Sequence, residues 1–200
     1  MTTFLLIRHA TCDPVGRSLA GRAPGVSLNA DGVAQAATLA RRLHDVALDA
    51  IYSSPIDRAR ETAHAIAQGR AVTVQLDDAL IELDFARWTG LSFAELDSDP
   101  QWRRFNALRS LTRASSGELM LQVQSRAIAL LERIRAERPD AAVALVSHGD
   151  LIRGVVAHVA GVPLDLFHRI EIDPASVSVV EIGEQQVRVR CLNVIDTLPV

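Results

Sequence analysis

Phe4-Leu5-Leu6-Ile7-Arg8-His9 decides the fold. Four consecutive apolar residues, closed by a cation and an imidazole, read as a short strand buried on both faces, as in a parallel sheet covered by helices. The run is too short, and ends too abruptly at Arg8, to be a signal-peptide core. Working outward, Asn29–Leu43 reads as a helix with Val33, Ala36, Ala37, Ala40 and Leu43 on one stripe. Ala47–Tyr52 is a second strand. Ser54-Pro55-Ile56-Asp57 then opens a helix with a capping side chain, a proline at its first position and an acid in its first turn. Val72–Leu76 is a third strand. Residues 77–116 are irregular, with helical pieces near Ser92–Leu96 and Gln101–Leu108.

A long helix follows Ser115-Ser116-Gly117, its inner face built from Leu119, Val123, Ala127, Leu130 and Ile134, with Pro139 just beyond its end. Ala142–Val146 is a fourth strand. It feeds Ser147-His148-Gly149 and a helix carrying Leu151, Ile152, Val155, Val156 and Val159, closed by Gly161. Val177–Ile182 and Val187–Leu192 alternate with period two around Gly183–Gln186, as an edge hairpin does. Short apolar runs alternating with amphipathic stretches give an α/β class. The expected architecture is a three-layer α/β/α sandwich on a mostly parallel sheet with an antiparallel edge strand. One domain over residues 1–200 is expected, since there is no repeat, low-complexity tract or linker.

Composition narrows the chemistry. The 200 residues contain no lysine, so all 21 basic residues are arginines. Walker-type phosphate loops, pyridoxal Schiff bases and lysine aldolases are thereby excluded. A chain of this length buries roughly 70% of its unfolded surface and needs no disulfide or metal to hold a core. A net charge of −3 offers no general attraction to nucleic acid or anionic membrane. Two cysteines, Cys12 and Cys191, are too few for a disulfide scaffold. No apolar run approaches the roughly 18 residues of a membrane span. A cytoplasmic location is expected, and a homodimer is left open.

Open α/β sheets bind ligands at the carboxyl ends of their strands. Strand one ends in Arg8-His9, strand two leads to Arg58, strand three leads to a loop holding Glu82, and strand four ends in Ser147-His148-Gly149. In a fold with a radius of gyration of about 16 Å these groups meet easily if the strands are neighbours. Guanidiniums match phosphate oxygens with planar forks of donors. Imidazole is a competent nucleophile toward phosphorus, and a carboxylic acid can protonate a departing alkoxide. Such a set already carries the positive charge that phosphoryl transfer requires, so no metal or other cofactor is expected.

In order along the chain, Leu6-Ile7-Arg8-His9-Ala10-Thr11, Ser53-Ser54-Pro55-Ile56-Asp57-Arg58-Ala59-Arg60-Glu61-Thr62-Ala63, Glu82 ahead of Phe85-Ala86-Arg87-Trp88-Thr89-Gly90, and Ser147-His148-Gly149 resemble the histidine phosphatase (phosphoglycerate mutase-like) superfamily. The resemblance implies that His9 is the nucleophile, carrying a transient phosphohistidine. It implies a phosphate pocket of Arg8, Arg58 and His148, with Glu82 as acid and then base. Thr11, Gly21, Arg22 and Gly149 are the candidate substrate contacts. The chain departs from the family pattern at Ala10 and Ala86, where glycine is usual, and at Val15, where an asparagine touches the phosphate. Ala10 fits if its φ is negative. Thr11 stands one residue early, so the loop Ala10–Gly21 is remodelled.

Other readings of the same residues fare worse. Cys12 and Arg17 are one residue too close for a cysteine-dependent phosphatase loop, and Pro14 removes an amide from the cradle. Cys12 is then a loop thiol near the pocket. Ser147 lacks the first glycine of a hydrolase elbow (Leu145 stands there), and Asp165 and His168 lie too close together for a triad. Glu82 competes with Asp77, Asp78 and Asp84, and Arg58 with Arg60. His44, His64, His158 and His168 are expected to be structural or exposed, and Cys191 a small buried hydrophobe. Gln101–Arg113 contains four arginines and no acid. It is either part of a cover over the crevice within residues 83–116, or a solvated basic face anchored by Trp102, Phe105 and Leu108.

The expected function is hydrolysis of a small phosphorylated metabolite. A phosphoglycerate mutase-type phosphotransferase and a non-catalytic phosphate-binding module are the alternatives. The short segment between Glu82 and Gly117 favours hydrolysis, because a mutase must shield its phosphoenzyme from water.

Overall fold

Alternate residues of the first strand feed two separate cores. The structure, a computed structural model, describes residues 1–196, so 197–200 lie outside the described residues of the expected domain. Strand β1 (Thr2–Arg8) sends Phe4 and Leu6 into one apolar cluster and Leu5 and Ile7 into another, so both faces of the sheet are covered. Helix α1 (Ala30–Arg42) follows, and then β2 (Ala50–Ser53), α2 (Asp57–Ala67) and the short β3 (Val74–Leu76). Two short helices come next, α3 (Phe93–Asp97) and α4 (Pro100–Ala107), and then the long α5 (Met120–Glu137). The chain continues through β4 (Ala142–Ser147), α6 (Gly149–Ala160), β5 (Val177–Ile182) and β6 (Val187–Val194).

The strand order is β3-β2-β4-β1-β5-β6. β1, β4, β2 and β3 are mutually parallel, whereas β5 runs antiparallel to both β1 and β6. α1 and α2 pack on the Leu5/Ile7 face, and α5 and α6 cover the Phe4/Leu6 face. This is the expected three-layer sandwich. The three strands that end in Arg8, Ser53 and Ser147 are adjacent, and the ladder runs on past their ends: His9 N–H donates to the Ser147 carbonyl at 2.9 Å, and Ser54 N–H to Val146 at 2.9 Å.

Several local expectations are corrected. α1 is capped by Asn29, whose side chain accepts from Gly32 N–H, but it buries Gly32, Ala36, Leu39 and Leu43. Val33 is 59% exposed, so the inward stripe is rotated from the expected one. A Cβ on Gly32 would stand 1.9 Å from the Thr11 carbonyl oxygen, so the helix turns its one residue without a side chain toward that loop. α2 begins at Asp57, with Ile56 as an N-cap that offers no side-chain bond. Ser54 Oγ accepts from Ile56 N–H at 3.3 Å and lies 2.8 Å from His148 Nε2, so it serves the site rather than the helix. Leu119 is the residue before α5, and Met120 takes the buried place. On β6, Val187 and Val189 are exposed and Cys191 is half-buried, because an edge strand has a neighbour on one side only. Among the described residues no helix is long and apolar enough to cross a membrane.

Candidate active site

Arg58 organises the cluster at the strand ends. It occupies the first turn of α2, is 2% exposed, and is reached by both histidines. Its Nε donates to His9 Nε2 at 3.1 Å, and its Nη2 donates to the Gly21 carbonyl at 2.7 Å and faces His148 Nδ1 at 3.3 Å. Because a guanidinium only donates, His9 Nε2 and His148 Nδ1 both present lone pairs. The other His9 nitrogen, Nδ1, lies 2.7 Å from the Ala10 carbonyl and therefore carries the proton. His148 Nε2 correspondingly donates to Ser54 Oγ. The two imidazole rings are 5.2 Å apart, centroid to centroid.

Arg8, from the end of β1, donates through Nη1 to the Ile172 carbonyl at 2.6 Å. Its Nε and the Nη1 of Arg58 are buried donors with no partner among the described residues. Buried donors left unmatched cost about 1–3 kcal/mol each, a cost that an anion accepting from both removes. Glu82 is buried, lines the same cavity, and accepts from Leu83 N–H at 2.8 Å.

Charge and burial set the protonation states. Burial first, then the Arg58 and Arg8 charges, hold the His9 imidazole well below its ordinary range. His148 is lowered by burial, then by Arg58. Glu82 moves the other way, pushed up to about 7 by burial and then by the Asp150 carboxylate, against the opposing pull of Leu83 N–H and the arginines. Near neutral pH the site thus holds two neutral imidazoles, two guanidiniums and a partly protonated acid. That set suits a dianion.

The cavity measures about 220 Å³ and is lined by Arg8, His9, Arg58, Glu82, Gly21 and Gly149 among the expected residues. His148 stands directly behind it through Arg58. Thr11 and Arg22 do not line it. Thr11 faces a surface groove with Asp31 and Arg42, and its N–H donates to Gln35 Oε1. Arg22 donates to the Glu82 carbonyl at 2.7 Å and to Glu118 Oε2 at 2.6 Å, so it braces the backbone of the acid's loop. Of the competitors, Asp77 pairs with Arg133, Asp84 accepts from Ala86 N–H, and Arg60 pairs with Asp57.

Ala10 is not among the residues with positive φ, so it fits where glycine was usual, and its N–H donates to Thr62 Oγ1 at 3.0 Å. Ala86 does have a positive φ, 47°, which glycine would adopt without strain. Val15 and the buried Cys12 line the cavity, and burial pushes the Cys12 thiol up.

Trp102 and Asn106 of α4, and Arg109 beyond it, form one wall, so this segment borders the crevice. Arg109 is buried rather than solvated, and Leu108 is exposed rather than an anchor. Sequence reasoning missed Arg109, Asp150, Arg153 and the cavity-lining position of the exposed His168. The available signal was Asp150 and Arg153, opposite charges three residues apart at the start of an otherwise apolar helix.

Residues 4–195 match the model of the histidine phosphatase superfamily (branch 1). Phosphoserine phosphatase 1 of Hydrogenobacter thermophilus is 32% identical over 97% of this chain and 93% of its own length. Among solved structures, Bacillus stearothermophilus YhfR superposes with a TM-score of 0.89 at 29% identity, covering 95% of this chain and 96% of its own. The mycobacterial glucosyl-3-phosphoglycerate phosphatase Rv2419c, in complex with VO3, superposes at 0.87 with 26% identity, covering 96% and 98%.

Proposed function

The chain belongs to the histidine phosphatase superfamily, and from that premise we propose that it hydrolyses a small phosphomonoester through a phosphohistidine on His9. One observation carries the reading: His9 Nδ1 is committed to the Ala10 carbonyl, so Nε2 turns its lone pair into a buried cavity shared with Arg8, Arg58 and Glu82.

A bound phosphoryl group would accept from Arg8 Nε and Arg58 Nη1 and displace the bond between Arg58 and His9. His9 Nε2 then attacks phosphorus as the ester P–O bond breaks. The leaving alkoxide takes the proton of Glu82, so product alcohol departs and phosphohistidine remains. The Glu82 carboxylate next takes a proton from water, whose oxygen attacks the same phosphorus. The P–N bond breaks, inorganic phosphate leaves, and His9 and protonated Glu82 are restored. The two guanidiniums supply the positive charge around the equatorial oxygens, and the neutral His148 accepts from Arg58 and helps hold it in place, so no metal is required.

A cavity of about 220 Å³ is smaller than the roughly 300–1,000 Å³ of drug-sized ligand sites, which supports a small metabolite as substrate. A pure phosphate binder needs neither a nucleophilic nitrogen whose lone pair faces the cavity nor an acid poised near neutrality. Steady release of inorganic phosphate from a panel of phosphorylated metabolites in EDTA, abolished by His9→Ala, is the expected result. Strict dependence on a bisphosphorylated primer, with isomerised product and no free phosphate, would mean a mutase. Binding without turnover would mean a binding module.

A further inference from the structure

Glu82 sits on a stretch with no strand or helix of its own. Residues 81–85 lie between two single helical turns, Asp78–Leu80 and Ala86–Trp88, so no sheet ladder pairs their backbone. Backbone polar groups shut away from water still need partners. Here the partners are side chains from elsewhere in the chain. The Glu82 carbonyl accepts from Arg22 Nε at 2.7 Å and from Arg126 Nη2 at 3.4 Å. The Ala79 and Ile81 carbonyls accept from Arg126 Nη1 and Nη2, each at 2.6 Å.

One carboxylate ties these partners together. Glu118 directly precedes Leu119, the N-cap of α5, and Arg126 stands further along that helix. Glu118 Oε2 accepts from Arg22 Nη2 at 2.6 Å, from Asp84 N–H at 3.0 Å and from Arg126 Nη2 at 3.5 Å. The backbone N–H of Glu118 donates to the Asp84 carbonyl at 3.0 Å, so Asp84 is gripped in both directions. A Cβ on Gly117 would stand 1.9 Å from that carbonyl oxygen, so only glycine lets the two segments come this close. Between the residues held at 82 and 84 lies Leu83, whose N–H donates to Glu82 Oε1 at 2.8 Å. The acid's own carboxyl is therefore tied to the stretch of backbone that Glu118 and its arginines fix.

We infer that Glu118 is a positioning residue for the acid: it fixes the loop directly at Asp84, and at Glu82 through Arg22 and Arg126. This rests on the phosphatase reading and deepens it. Glu118 does not line the cavity, so its effect on the chemistry passes through Glu82. Misplacing a reacting group by about 1 Å can cost about a hundredfold in rate. kcat/KM reports the half-reaction in which Glu82 gives its proton to the leaving oxygen, and a poor leaving group needs that proton most.

The test compares phenyl phosphate with p-nitrophenyl phosphate, two esters of similar shape whose leaving groups differ in basicity. kcat/KM is measured for wild type, Glu118→Ala and Glu118→Gln, and for Glu118→Ala combined with Glu82→Gln. Glu118→Ala is expected to slow phenyl phosphate by about tenfold to a hundredfold and p-nitrophenyl phosphate far less. Glu118→Gln, whose amide oxygen can take the place of Oε2, is expected to keep most of the phenyl phosphate rate. Against Glu82→Gln alone, the added Glu118→Ala is expected to slow the two esters equally, because the acid it positions is gone. Equal losses on the two esters with Glu82 present, an undiminished selective loss with Glu82 replaced, or a Glu118→Gln variant as slow as Glu118→Ala overturn the inference. Each leaves the phosphatase reading standing. If Glu118→Ala shows no cooperative urea unfolding, Arg22→Met, which cuts one arm of the same network, goes through the comparison of esters and backgrounds and decides in its place. Failure of wild type on both esters overturns the phosphatase reading and the inference with it.

Discussion

Burial acts on His9 and Glu82 with the same strength of purpose but opposite consequences: it keeps the imidazole without a proton and keeps one on the carboxyl. As pH rises through about 7, Glu82 loses the proton that a leaving alkoxide needs, so phosphorylation by alkyl phosphates should fall above that value. Glu82→Gln should remove this alkaline limb. It should slow alkyl phosphates by about 10²–10⁴-fold and nitrophenyl phosphate far less, as burst kinetics across pH would report. Equal slowing of both esters would contradict the acid role. Arg8, His9, Arg58 and His148 could be singled out because each follows an apolar run at a strand end or stands in a first helical turn, whereas only its register with the family motifs separated Glu82 from Asp77, Asp78 and Asp84. Arg109 was not legible, because its meaning comes from packing against the Phe105 and Phe167 rings, which stand 62 residues apart in sequence, a meeting that no local pattern records.

Two small residues show where element-level reading stops. Helix propensity favours alanine over glycine by about 1 kcal/mol, so Gly32→Ala in α1 would be expected to stabilise. The Thr11 carbonyl, 1.9 Å from the position of that Cβ, reverses the sign. Gly32→Ala should lower stability by about 1–3 kcal/mol in urea unfolding and reduce kcat, since the displaced loop follows directly on His9. A more stable variant would contradict this. Ala86 is the converse case. With its φ at 47°, Ala86→Gly should raise stability by up to about 1 kcal/mol, read as a higher urea midpoint, and a lower midpoint would contradict it. The period of α1 was legible but its inward face was not, because glycine gives no hydropathy signal for the closest approach on the helix. On β6 the alternation was legible, but nothing in it tells an edge strand with an exposed stripe from a covered one.

For the whole molecule, the layer class followed from alternating apolar runs, whereas the adjacency of β2, β4 and β1 did not. That adjacency is what brings motifs from distant parts of the chain into one cavity. It has a cost in acid. The unfolded chain binds protons on His9 and His148 as pH falls below about 6.5, while the folded state does not, so stability drops toward acid. Glu82 runs the other way, with the folded state keeping its proton between 4.5 and about 7, so it favours the fold toward acid. His168, lowered to about 4 by burial and then by the Arg109 charge, acts in the same direction as the other two histidines. Three histidines against one glutamate predict a net fall in Tm from pH 6.5 to 5, and His148→Gln should flatten that fall. An unchanged slope would contradict neutral burial of this ring.

The nucleophilic role of His9 is tested most directly by acid-free quenching during turnover of a phosphomonoester, followed by peptide mass spectrometry. The expected result is a base-stable, acid-labile phosphoryl group on the peptide containing His9, absent from His9→Ala. Turnover with the label on Cys12 or another residue, or sustained hydrolysis by His9→Ala, would contradict it.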